Sequence, residues 1–332
     1  MRFQLGMQPD FLLMFDEDYT LKYSVAAEKM GFEYIWHADH FFPFQPSFKH
    51  VFFAWEVLAA IGARTTTAKI GPAATAPIGG RYHPMLIAQA SATMDRLFPG
   101  RFVLAVGAGE AINESRFFGR WPKWQERMER LLEGVELIKK LWKEEAPFDF
   151  DGKYFKVPQA MLYLRPKNEI PIYLSAFGVK AAVVAGKHAD RFITEGTVET
   201  VRDIIFPKFD EGARAAGRDP GKIERAVLTD FATGPRDKIV QKVRKIAGGG
   251  YAKGTYDTSD PAAIAARETG ITDEQILEHV YLYQKPDEVI DVLERYRKAG
   301  ATQVIISEFG EDPEHAMKVY PKVTEYYRTR ET

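Results

Sequence analysis

The chain has 332 residues, 45% of them hydrophobic, with 45 basic against 46 acidic side chains and a formal net charge of −1. Such a balance offers no field for nucleic acid or an anionic membrane, and no apolar run approaches the roughly 18 residues of a membrane span. There is no cysteine, which excludes disulfides, thiolate metal sites and cysteine nucleophiles and fits a reducing cytoplasm.

Short β-rich runs alternate with longer helical patterns along the whole chain. The expected strands are FQLGMQ (3–8), YIWHA (34–38), KIGPAA (69–74), RFVLAVG (101–107), IPIYLSA (170–176), RFIT (191–194), RAVLTDF (225–231) and TQVIISEF (302–309). Most are apolar throughout instead of alternating, the pattern of parallel strands buried on both faces. After the first of them, YTLKYSVAAEKMG (19–31) reads as a helix with Leu21, Val25 and Ala26 on its inner face and a stop at Gly31. Further on, ERMERLLEGVELIKKLWKEE (126–145) repeats apolar residues at spacings of three and four, with charges opposite. Eight strands with helical connections, and no GxGxxG after the first, predict an α/β fold closed as a (β/α)8 TIM barrel in preference to an open sheet. Residues 1–332 read as one barrel domain. The stretch from about 232 to 284 is too long for one βα unit and contains GGGYAKGTYDTSDP (248–261). It reads as an insertion beside the barrel mouth, helical around 262–280, forming a lid.

In a barrel, chemistry gathers at the C-terminal ends of strands. HADHFFPF (37–44) follows the second strand directly, and alternation sends His37 and Asp39 one way, Ala38 and His40 the other. The two histidines are out of phase, and no His or Lys cluster follows on later strands, so no metal site is expected. His37 reads as a structural histidine. Asp39 and His40 read as a proton-handling pair, the carboxylate fixing the imidazole's tautomer and raising its basicity. KIGPAATAPIGGRYHP (69–84) ends the third strand in small residues that let a flat ring approach the backbone. VGAGEAINE (106–114) ends the fourth with glycines at 107 and 109 and Glu110 at the mouth. LSAFGVKAAVVAG (174–186) runs from a strand end into a helix with Gly178 at its start, a natural phosphate cradle. Together these features suit an elongated phosphorylated cofactor stretched across several strand ends.

DHFFPF, RYHPMLIAQASATMDRLFPGRFVLAVGAGEAINE and FPKFDEGARAAGRDPGKIERA resemble the bacterial-luciferase-like superfamily. Within it they resemble the branch that uses the deazaflavin coenzyme F420: secondary-alcohol dehydrogenases, glucose-6-phosphate dehydrogenases and methylenetetrahydromethanopterin reductases. The resemblance covers nearly the whole chain, and the D-H-x-x-P and G-x-G-E-A-x-N-E blocks carry it most specifically. It implies a deazaflavin in the barrel mouth and hydride exchange between its C5 and a substrate carbon. Under it, Asp39 matches the aspartate that contacts the ring, His40 the general base on the substrate hydroxyl, and Glu110 the carboxylate near ring and substrate. Ala73–Ala74 matches a non-prolyl cis peptide that forms a bulge behind the ring. Ala108, Gly109 and Asn113, then Ala176, Phe177 and Gly178, match contacts to the ribityl and phosphate region.

Departures from the branch narrow the expected substrate. The sugar-phosphate enzymes offer a threonine and a lysine on the sixth-strand loop where this chain has Glu195 and Val198, and an arginine where it has His279. A carboxylate in place of a cation repels a phosphate dianion. The alcohol dehydrogenases carry a tryptophan where this chain has Phe44, and a first-strand-loop glutamate near Leu12 or Leu13. Phe11, Phe42, Phe44 and Phe48 would make an apolar substrate pocket. The expectation is a cytoplasmic, homodimeric F420-dependent oxidoreductase with a small-molecule substrate and no nucleic-acid or membrane partner. It would act on an alcohol/carbonyl pair with little charge and no phosphate group. Alternatives are a methylenetetrahydromethanopterin reductase-like enzyme, a sugar-phosphate dehydrogenase relative, a cofactor-binding protein without turnover, a metal-dependent hydrolase, and FMN in place of F420.

Overall fold

The computed structural model describes residues 1–9, 15–252, 254–310 and 313–330. Its strands are β1 (Gln4–Gln8), β2 (Tyr34–His37), β3 (Lys69–Pro72), β4 (Leu104–Val106), β5 (Phe148–Asp151), β6 (Lys156–Ala160), β7 (Ile172–Ser175), β8 (Arg191–Glu195), β9 (Glu224–Thr233), β10 (Val280–Tyr283) and β11 (Gln303–Glu308). Eight of them, each parallel to its neighbours, follow the order β3-β2-β1-β11-β9-β8-β7-β4. Parallel bridges Ile70↔Phe102 and Thr75↔Val106 then join the two ends, so the sheet closes on itself. Glycine is needed at this seam, because a Cβ on Gly71 would lie 2.3 Å from the carbonyl oxygen of Val103.

Closure gives each strand two apolar environments. Tyr34, Trp36, Val103, Ala105, Tyr173 and Ile193 point inward with Ala226, Leu228 and Ile305 and fill the barrel, while the alternate residues pack beneath the surrounding helices. Those helices are α1 (Glu17–Lys29), α2 (Ala54–Arg64), α3 (Pro84–Leu97), α4 (Ala111–Phe118), α5 (Trp124–Lys143), α6 (Val179–His188), α7 (Val198–Thr200), α8 (Phe206–Ala215), α9 (Arg236–Ala247), α10 (Pro261–Ala265), α11 (Asp273–His279), α12 (Pro286–Lys298) and α13 (Pro313–Arg330). Among the described residues, none is long and apolar enough to cross a membrane.

The inner face of α1 differs from the expected one. Thr20, Tyr23, Ser24 and Ala27 are buried, whereas Leu21, Val25 and Ala26 are only half-buried. The helix buries one large ring, Tyr23, beside three small side chains, and Ser24 satisfies its own hydroxyl by donating to the Thr20 carbonyl at 2.7 Å. Two strand features lie outside the expected set. β5 and β6 form an antiparallel hairpin separate from the barrel, and β10 adds parallel to the far end of β9, Val280 pairing with Asp230.

The chain between β9 and β11 has an apolar cluster of its own. Ile239, Val240 and Val243 of α9 pack with Ile276 of α11, Val280 of β10 and Phe309, and Phe44, Phe48 and Tyr251 lie against them. This packing sets residues 248–252 and 254–261 beside the C-terminal ends of the strands.

Candidate active site

A cavity of about 830 Å3 opens at the C-terminal ends of the strands. Asp39, on the turn that leaves β2, is fully buried there. Its Oδ1 receives Arg81 Nη2 and the Tyr82 hydroxyl, each at 3.1 Å. The same guanidinium reaches Glu114 with Nε at 3.5 Å, and the Arg81 backbone N–H donates to Glu114 Oε2 at 2.9 Å. The expected Asp39–His40 dyad is therefore replaced by an Asp39–Arg81–Glu114 network. A buried carboxylate is better compensated by a permanently charged guanidinium than by a neutral ring. The loop that delivers Arg81 lies tight on α4: a Cβ on Gly80 would sit 2.6 Å from Phe118 Cε2 and 2.7 Å from Glu114 Oε2.

His40 is held by other groups. Its Nδ1 lies 3.1 Å from the Phe42 carbonyl and 3.2 Å from Asn113 Nδ2, and its ring meets Phe44 edge-on at 4.9 Å. Asn113 Oδ1 accepts from the backbone N–H of Phe41 at 2.9 Å and of Phe42 at 3.3 Å, which turns the amide nitrogen toward His40 and Glu110. With Nδ1 protonated and donating to Phe42, Nε2 keeps its lone pair and lies 3.7 Å from Glu110 Oε2. Burial pushes the imidazole down to about 4. Burial, and then the neighbouring Glu195, push the Glu110 carboxyl up to about 8. The ordinary order of the two groups is inverted. At neutral pH the histidine is a free base and the glutamate a protonated acid, which is how one site keeps an acceptor and a donor side by side.

The floor is small. The Ala73–Ala74 peptide is cis, and both residues line the cavity with Ala76, Gly107, Ala108 and Gly109. Beyond β7, Ala176, Phe177 and Gly178 line it where α6 begins. Gly178 is the N-cap and supplies no side chain, so the first-turn N–H groups face the opening beside Lys180. These features fit a flat, phosphorylated cofactor. The floor admits a ring, Asp39 Oδ2 is buried without a protein partner, and the helix N-terminus offers uncommitted donors.

The wall at β8 carries Glu195, whose hydrogen bond is a long one from the Tyr256 hydroxyl at 3.5 Å. Burial pushes this carboxyl up to about 7. Asp230 on β9, also raised by burial, accepts from the Tyr251 hydroxyl at 2.8 Å. Tyr251 and Tyr256 come from the Gly-rich stretch, which is tied across the mouth by Trp121 Nε1 to Asp257 and by Arg116 to the Ser259 carbonyl, both at 2.8 Å.

Several expected positions stand elsewhere. Val198 is buried at the start of α7 and packs in the outer core. Thr197 caps that short helix through the Thr200 N–H, and the turn rotates the apolar side chain away from the mouth. His279 lies behind the wall, stacked on Tyr251 at 4.5 Å and 4°. Phe44 lines the cavity, but Phe42 lies under the Arg116 guanidinium at 4.1 Å and Phe48 packs against the α9 cluster. Phe11, Leu12 and Leu13 lie outside the described residues. His37 is buried, with Nδ1 2.7 Å from the Ala38 carbonyl. Among the described residues no three His, Asp or Glu side chains are grouped to hold a metal.

Sequence reasoning passed over Arg81, Asp230, Tyr251 and Tyr256. The available signals were an arginine directly after two glycines at a strand end, and two tyrosines inside an otherwise small, polar loop.

The family model for luciferase-like monooxygenases matches residues 6–303. The chain belongs to the luciferase-like monooxygenase family. Within that family it is 34% identical over 307 residues to the F420-dependent glucose-6-phosphate dehydrogenase of Segniliparus rotundus, covering 91% of each chain. It is 34% identical over 306 residues to the Nocardia farcinica enzyme of the same name, covering 90% of each. The structure of an F420-dependent secondary alcohol dehydrogenase in complex with an F420–acetone adduct superposes with a TM-score of 0.91 at 32% identity, over 97% of this chain and 98% of that one. The F420-dependent tetrahydromethanopterin reductase of Methanopyrus kandleri shares the luciferase-like fold, with a TM-score of 0.76 at 23% identity.

Proposed function

We propose that this luciferase-like barrel is an F420-dependent oxidoreductase acting on an alcohol/carbonyl pair without a phosphate group. The observation that carries the reading is geometric: His40 Nε2 and the Glu110 carboxyl face one another at 3.7 Å over the Ala73–Ala74 floor, where burial favours the neutral form of both. Bound there, F420 supplies the acceptor or donor of the hydride. In alcohol oxidation, His40 Nε2 takes the hydroxyl proton as the carbon loses hydride, and in carbonyl reduction it returns that proton. Glu110 holds its proton at the cavity wall, where it answers negative charge as it develops. Asn113 donates to the Glu110 carboxyl through Nδ2 and holds, through Oδ1, the Phe41–Phe42 backbone whose carbonyl orients the imidazole. Arg81 holds Asp39 in place, leaving Oδ2 to orient the ring. Ala108, Gly109, Ala176, Phe177 and Gly178 would bind the ribityl and phosphate portions along the route to α6.

Glu195 supports the phosphate-free part of the reading. A carboxylate at the substrate wall raises the cost of placing a phosphate dianion beside it, although relatives at 34% identity are named glucose-6-phosphate dehydrogenases. A homodimer through the helices after the early strands fits the same reading, because Phe53, Leu86 and Leu97 stand exposed there. The test is a substrate panel on the F420-loaded protein. Secondary alcohols should be oxidised and glucose 6-phosphate should not; a comparable kcat/KM for the sugar phosphate would overturn the phosphate-free part.

A further inference from the structure

We infer that Arg81 contacts the cofactor ring directly: its Nη1 donor and the neighbouring Asp39 Oδ2 acceptor form one edge that reads a cyclic imide, a ring N–H beside a ring carbonyl. The inference rests on the F420 reading above and names the part of the ring that meets this wall of the cavity.

The first argument is what the network leaves over. Arg81 Nη2 donates to the Asp39 backbone carbonyl at 2.8 Å and lies 3.1 Å from Oδ1, and Nε faces Glu114 Oε1 at 3.5 Å. One face of the guanidinium covers the Tyr82 ring at 4.6 Å. Nη1 and Asp39 Oδ2 remain buried with no partner among the described residues. Both residues line the cavity, and their side chains are only 6% and 0% exposed. Because they form one ion pair, the spare donor and the spare acceptor are close neighbours. A buried donor and acceptor without partners are costly, and a ligand that supplies both relieves the cost.

The second argument is charge. The guanidinium already faces two carboxyl groups, so this wall lacks hydrogen bonds and not charge. An ammonium group brings donors alone and a phosphate dianion acceptors alone. An imide brings one of each, in one plane and without charge, as the planar guanidinium requires. Position is the third argument. Glu114 packs against the small-residue floor: a Cβ on Gly109 would lie 2.8 Å from Glu114 Cγ and 3.3 Å from Ala76 Cβ. A flat ring resting on that floor meets the network with its edge, and the pyrimidinedione ring of F420 carries an imide N–H flanked by two carbonyls.

Methylating that imide nitrogen removes the donor and leaves the carbonyls. Titrated into the full chain and followed by cofactor fluorescence, the N-methyl imide of F420 should show a Kd at least about tenfold above that of F420. Asp39→Asn should bring the ratio of the two Kd values to about one. Arg81→Lys keeps the charge and loses the planar fork, so it should raise both Kd values at least about threefold and leave their ratio unchanged. In difference infrared spectra, binding to the parent should move one ring carbonyl band to lower frequency, and Arg81→Lys should reduce that shift. Equal Kd values for the two ligands, unshifted carbonyl bands, or a tenfold preference that survives Asp39→Asn overturns the inference. The first two outcomes are read on the parent chain and hold whether or not the variants fold. If neither ligand binds, the F420 reading falls and this inference with it; if both bind equally, this inference falls alone.

Discussion

Around Arg81, at the end of β2, buried carboxylates have a partner. Asp39 and Glu114 share one guanidinium, and Tyr82 donates to Asp39 as well. Around Glu195, at the ends of β8 and β9, the carboxyl groups have tyrosine hydroxyls and no cation among the described residues. Both regions border the same cavity and both are desolvated, so the difference lies in what each is prepared for. A compensated network holds its shape without ligand and can position a cofactor. In the other, burial favours the neutral carboxyl, which holds its proton and is answered by tyrosine hydroxyls in place of a cation. His40 and Glu110 stand between the two regions.

The largest expected effect is at that junction. His40→Asn should lower turnover by roughly 10²–10⁴-fold while cofactor affinity is largely kept, measured by steady-state kinetics and a binding titration. Unchanged turnover would remove His40 from the chemistry. The parent enzyme's alcohol-oxidation rate should rise as His40 loses its proton near about 4 and fall as Glu110 loses its own near about 8.

Breaking the compensated side comes next. Arg81→Met would leave two buried carboxylates unanswered and should cost about 3–5 kcal/mol in denaturant unfolding. A smaller loss would mean that the network is wetter than its burial implies. Gly80→Ala would press a Cβ against Phe118 and Glu114 and should cost about 1–3 kcal/mol by the same measurement, with Arg81 displaced. The smallest effect falls on the uncompensated side. Because the Glu195 carboxyl is raised when folded, the folded state keeps a proton that the unfolded chain has lost; its stabilising contribution is complete at low pH and declines as pH rises to about 7. Glu195→Gln removes that decline. Parent and variant should match near pH 4, and the variant should gain on the order of 1 kcal/mol near pH 8, read from paired thermal melts.

The barrel was legible because strands buried on both faces leave unbroken apolar runs, and all eight barrel strands fall within the expected segments to within about two residues. The β5–β6 hairpin was not, since FDFD and KVPQA are largely exposed and alternate with charge. β10 follows α11 without a break in the chain, which hid VYLY at the end of a helical pattern. On α1, hydrophobicity pointed to Leu21, Val25 and Ala26, but the buried face is Thr20, Tyr23, Ser24 and Ala27, one aromatic ring among small side chains that apolar spacing does not mark. His40 and Glu110 were placed at the mouth because they follow strand ends directly, and Glu195 through the family resemblance; phase alone would have separated Asp39 from His40, yet both line the cavity. Val198 lies three residues past such an end, where one capped turn decides its direction. Arg81 could not be read because its meaning lies in partners 42 and 33 residues away in the chain.

The central claim is that this mouth binds a deazaflavin and passes hydride to or from it. Titrating the purified apo-protein with F420, FMN and NADPH, then adding a secondary alcohol to the tightest complex, tests it directly. The account predicts that F420 binds most tightly and that its visible absorbance bleaches when the alcohol is added. Preferential binding of FMN, or F420 bound without bleaching across the alcohol panel and without recovery across the matching ketones, would contradict it.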